Sequence, residues 1–78
     1  MKRNIQTARS VLYAVQTYSK PDGIEKFHLE SLHSSNGCSQ EDWDYAARLL
    51  ADSRYLVFDA GYFRMTWAGH DLLDALSR

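Results

Sequence analysis

The only proline in the chain stands in Lys20-Pro21-Asp22-Gly23, and this tetrapeptide constrains the fold more than any other. Proline has a preset φ and no N–H, so it suits the second position of a type I turn, with Asp third and Gly fourth. The segment before it reads as one helix. Ile5, Ala8, Leu12 and Val15 recur at i, i+3, i+7 and i+10, Val11 and Tyr18 widen the stripe, and Asn4 stands where an N-cap belongs. The turn stops this helix, and its apolar face must be covered by the rest of the chain.

Beyond the turn, Phe27 and Leu29 alternate with Lys26, His28 and Glu30, a pattern that predicts a short half-buried strand within residues 24–32. Ser34-Ser35-Asn36-Gly37 is a loop. Ser39 reads as an N-cap, with Asp42 three residues on completing a variant capping box. Trp43, Ala46, Ala47 and Leu50 then mark a helix to about Ser53. Residues 55–59 and 62–66 are rich in strand formers, and Ala60-Gly61 between them predicts a hairpin. Phe63 and Met65 would share one face of it, with Tyr62, Arg64 and Thr66 on the other. Thr66 is placed to cap a last helix, residues 67 to about 77, with Gly69, Leu72, Leu73 and Leu76 inward. A glycine in that stripe costs about 1 kcal/mol of helix propensity, which points to close backbone packing. The short strand before the middle helix is expected to join the hairpin in a three-stranded sheet.

Seventy-eight residues make one domain, 1–78, with one small core. Cys38 is the lone cysteine, so no intrachain disulfide staples that core, as expected of a cytoplasmic protein. It precedes a helix N-terminus, where thiolates are favoured, yet the simplest reading is a loop thiol without a role. With Cys38, His28, His33 and His70 alone, no zinc site and no other cofactor is expected. The first residues do not continue into a signal peptide, and no stretch approaches the roughly 18 apolar residues of a membrane span.

The order helix, short strand, helix, hairpin, helix resembles a small α+β winged helix-turn-helix domain, with the hairpin as wing. Tyr62-Phe63-Arg64-Met65-Thr66-Trp67-Ala68-Gly69 is similar to the way many winged-helix regulators leave the wing. More closely, the run from Arg64 through Thr66-Trp67-Ala68-Gly69-His70 to Leu76 resembles the C-terminal motif of the bacterial and phage domain-of-unknown-function family 2513. Met1-Lys2-Arg3 with the helix after it, and Tyr45 with Leu49-Leu50, match that family elsewhere. The chain departs from it where members often carry a glycine and an aliphatic residue, here Ser53-Arg54-Tyr55-Leu56, and in its short wing. The resemblance implies a fold and a phage or prophage setting, and brings no catalytic residues.

Charge decides between the functions open to such a fold. The net of −1 hides a polarity: +3 over residues 1–26, −4 over 27–60 and zero over 61–78. The helix that would enter a DNA groove exposes Glu41, Asp44, Tyr45, Arg48 and Asp52, three acids against one base. Phosphates supply most non-specific DNA affinity, and carboxylates there repel them. Tyr62 and Arg64 on the wing are of the type that anchors protein interfaces. The expectation is a non-enzymatic module that binds a protein partner through Glu41, Asp44, Tyr45, Arg48, Asp52, Tyr62 and Arg64. The alternative is a DNA-binding regulator using Lys2, Arg3, Arg9, Arg48 and Arg64. Core filling accounts for most of the aromatics, and His70 is read as a packing or hydrogen-bonding residue. No Ser-His-Asp or Cys-His spacing points to an enzyme.

Overall fold

The computed structural model describes residues 5–78, so Asn4 and its expected cap lie outside the described residues, as do Lys2 and Arg3. The described chain is a small α+β fold of four α-helices and a three-stranded antiparallel sheet. In chain order these are α1 (Ile5–Tyr18), β1 (Ile24–Glu25), α2 (Lys26–Ser31), α3 (Gln40–Asp52), β2 (Leu56–Asp59), β3 (Tyr62–Met65) and α4 (Trp67–Leu76). A single 3-10 turn, Ser34–Asn36, connects α2 to α3. The sheet order is β1-β3-β2.

Helix α1 buries Val11, Leu12 and Val15 as its spacing predicts, and Ala14 and Thr7 with them. Ile5 and Tyr18, at the two ends of the expected stripe, are about half exposed instead. The core is shorter than the helix, so the end positions overhang it. Lys20 and Gly23 exchange backbone hydrogen bonds across Pro21-Asp22, closing the turn. Gly23 sits at φ 108 against β3, where a Cβ would strike the Phe63 carbonyl.

The expected strand over residues 24–32 is corrected by the structure. Pairing stops after Ile24↔Phe63 and Glu25↔Tyr62, and Lys26–Ser31 is helical. The alternation misled because α2 buries only Leu29, leaving Phe27 at 71% exposure. One buried residue in six carries no period. The chain therefore places an additional helix between the first strand and the middle helix.

The centre of the core is Trp43, fully buried on α3, whose indole Nε1 donates to the Leu29 carbonyl of α2 at 2.8 Å. Ser39 Oγ accepts from the Asp42 N–H at 3.1 Å, the Ser39 half of the expected capping box. Helix α3 ends in a Schellman arrangement: Arg54 N–H reaches Ala51 O, Tyr55 N–H reaches Leu50 O, and Arg54 takes φ 65. The hairpin has the predicted two-residue turn. Asp59 pairs with Tyr62, and Ala60 and Gly61 both take positive φ, as a type I′ turn requires.

Thr66 caps α4 as expected, its Oγ1 accepting from Gly69 N–H at 3.0 Å while donating to the Arg54 carbonyl at 2.7 Å. This one hydroxyl ties α4 to the end of α3. Gly69 is buried, and a Cβ there would strike the Tyr55 carbonyl and lie 2.7 Å from Met65 Cγ. Close backbone packing is the reason for the glycine.

Candidate functional site

With Trp43, Ala46, Ala47 and Leu50 turned inward, α3 presents Glu41, Arg48 and Asp52 to solvent, and Asp42 with them. Asp44 and Tyr45, expected to be exposed beside them, are half-buried. The helical period explains why. Asp44 falls on the flank facing α2 and the hairpin, and Tyr45 leans toward α1 and α4. There it borders an apolar pocket of 140 Å³ shared with Ile5, Leu49, Tyr55, Leu72 and Leu76. The five residues therefore form a ridge with two flanks, not one open face.

Between α2, α3 and the hairpin runs a groove of 350 Å³. Its hairpin wall is the pair Phe58 and Phe63, with ring centroids 4.7 Å apart. Its other margins carry Lys26 and Glu30 from α2, joined by a 3.8 Å ion pair, and Asp44 and Arg48 from α3. An aromatic wall with charges of both signs at the mouth suits an amphipathic protein segment better than a polyanion.

Strand alternation separates the remaining candidates. The register Phe58↔Phe63 and Leu56↔Met65 puts Phe58, Phe63 and Leu56 on the sheet face toward α3. Tyr62 and Arg64 consequently lie on the opposite face, where Arg64 borders shallow depressions with Lys20, Val57, Trp67 and His70. The structure thus does not join Tyr62 and Arg64 to the α3 ridge. It disperses the basic set as well, with Arg9 on the outside of α1, Arg48 on α3 and Arg64 behind the sheet.

Residue-type reasoning missed three features. The groove depends on α2, which the alternation concealed, although Lys26 and Glu30 at i, i+4 were a helical signal. Phe58 is 48% exposed, because β2 is the edge strand of the sheet. Trp67 is 88% exposed and fills no core. Its neighbour His70 is also exposed, contrary to a packing role. His33 does have a structural partner, Nδ1 lying 3.0 Å from the Cys38 carbonyl. The Cys38 thiol is half-buried, 3.9 Å from Thr7 Oγ1. Among the described residues, no three His, Cys, Asp or Glu side chains converge to hold a metal ion. No helix there is long and apolar enough to cross a membrane.

No family model, curated protein or solved structure matches the chain.

Proposed function

We propose that the chain is a non-enzymatic winged-helix interaction module that binds a protein partner through α3 and the adjoining groove. The order α1-β1-α2-α3-β2-β3-α4 with sheet order β1-β3-β2 supports the winged-helix reading, α2 and α3 forming the helix-turn-helix and β2-β3 the wing. The observation that carries the choice of partner is the charge of α3. Glu41, Asp42, Asp44 and Asp52 oppose Arg48 alone on the helix that would have to meet phosphates. The groove beside it adds an aromatic wall of the kind that supplies interface anchors. No family model matches the chain, so a phage or prophage setting, in which the module would inhibit or redirect a host or phage protein, rests on the resemblance of the run from Arg64 to Leu76 alone.

The second reading is a DNA-binding regulator, and one observation favours it: Arg48 stands exposed in the middle of the α3 ridge with Lys26 across the groove. A salt titration against duplex DNA separates the two. The protein-partner reading expects no binding tighter than the non-specific range, about 10⁻⁴–10⁻⁶ M at physiological salt. Sub-micromolar binding with a steep negative salt slope would overturn it. Affinity capture from host lysate, repeated with Glu41→Lys/Asp44→Lys, supplies the complementary test. Capture that survives the double reversal removes α3 as the working surface.

A further inference from the structure

Trp67 opens α4 with its ring 88% exposed, and no described ring or cation stacks on it. On the far side of the same helix, α1, α3 and α4 enclose the apolar pocket of 140 Å³, with Ala46 and Leu50 as its floor and Ile5, Leu49, Leu72 and Leu76 around it. A large exposed ring and an apolar pocket of ring size on one small domain are complementary surfaces. We infer that Trp67 of one copy of this chain seats in this pocket of the next, so that copies associate head to tail.

Size and access agree with this seating. An apolar cavity of about 150 Å³ lined by Leu, Ile and Phe holds a benzene molecule. At 140 Å³ and open to solvent, this pocket takes the six-membered ring of an indole and leaves the pyrrole edge at the rim. A buried indole N–H needs an acceptor, and Asp42, Tyr45 and Ser53 all line the pocket. The walls are reachable: Ile5 is 46% exposed, and Tyr45, Leu49, Tyr55, Leu72 and Leu76 are half-buried.

Charge agrees as well. Arg64 and His70 border the depression beside Trp67, and no carboxylate lines it; Asp71, a turn further along α4, lies outside it. Asp42 lines the pocket, and no cation does. Neither Arg64 nor Asp42 has an ion-pair partner among the described residues. Seating the ring brings the two together across the contact. Leu76 follows Trp67 by about two and a half helical turns, so ring and pocket lie on opposite sides of α4. A contact of that kind is heterologous and does not close, leaving a free ring at one end and a free pocket at the other. The pocket lies on the flank of α3 away from the groove, so this inference and the proposed function stand or fall independently.

One indole and one ion pair bury far less than a standard interface, so a Kd on the order of 100 μM is expected. Sedimentation equilibrium from about 5 μM to about 1 mM should show the average mass rising past that of a dimer at the top of the range. A monomer throughout would overturn the proposal, and so would a plateau at the dimer. Trp43 is fully buried already, so iodide quenching reads Trp67 and should fall as copies associate; unchanged quenching counts against the seating. Complementation tests the pairing itself. Trp67→Ala removes the ring and Ala8→Phe fills the pocket from α1, and each alone should stay monomeric while folded by circular dichroism. Mixed, they should form a one-to-one heterodimer that grows no further, because one ring and one pocket remain. A mixture that stays monomeric would overturn the inference. Free indole covers the case in which Ala8→Phe fails to fold. It should return the parent chain to monomer, and assemblies that indole leaves intact rule the pocket out. Asp42→Arg should weaken association roughly tenfold, and Asp42→Arg with Arg64→Asp should restore it. No recovery in a folded double variant would refute the proposed orientation.

Discussion

Replacing Gly69 by Ala tests the packing of α4 by its sign alone. At an exposed helical position the change stabilises by about 1 kcal/mol through helix propensity. At Gly69 the new methyl meets the Tyr55 carbonyl, a backbone group that cannot turn aside, and lies 2.7 Å from Met65 Cγ. Overpacking of this kind costs about 1–3 kcal/mol. Relieving it by moving α4 outward stretches the Thr66 hydroxyl contacts to the Arg54 and Tyr55 carbonyls, 2.7 and 3.2 Å in the native fold. Each such bond is worth about 1 kcal/mol. Against the propensity gain, the net is a destabilisation of about 2–4 kcal/mol. For a domain this small each kcal/mol moves Tm by about 4–8 °C, so thermal unfolding should fall by roughly 10–30 °C. Ala75→Gly, on the exposed side of the same helix, calibrates propensity alone and should lower Tm by about 4–8 °C. A Gly69→Ala variant that melts higher than the parent would refute the reasoning, because it would show that α4 is not held against Tyr55.

Trp43→Phe should cost about 2–3 kcal/mol in urea unfolding, from a buried hydrogen bond and the void left by the smaller ring. The Leu29 carbonyl keeps its bond from Leu32 N–H, so the loss should stay below that of an orphaned acceptor, and a loss above about 5 kcal/mol would contradict this expectation. Arg54→Gly and Ala60→Asn each relieve an unfavourable positive φ and should stabilise by about 0.5–1 kcal/mol, read as a rise in Tm. Because they lie at opposite ends of β2, their effects should add within about 0.5 kcal/mol, which the double variant checks.

The elements with local signals were legible from the residues alone. Pro21-Asp22-Gly23 stopped α1, Ser39 and Thr66 capped α3 and α4, Ala60-Gly61 turned the hairpin, and the α3 stripe told which way that helix faces. Each rests on residues within one or two turns of one another, so the pattern survives without knowledge of the fold. Likewise the acids of α3 were apparent from spacing, since burying Trp43 and Leu50 leaves Glu41 and Asp52 outside. Whatever depends on partners distant in the chain was settled by packing. Lys26–Ser31 became a helix because β1 pairs with β3 for just two residues, and Leu29 must then reach Trp43. Tyr45 and Asp44 lie half-buried on the flanks of the ridge because α1, α4 and the hairpin approach α3 from either side. Tyr62 and Arg64 parted from α3 because a sheet has two faces and the core occupies one of them. Burial is a property of what packs against a residue: Phe58 is covered on one side by Phe63, and no described residue covers the Trp67 ring.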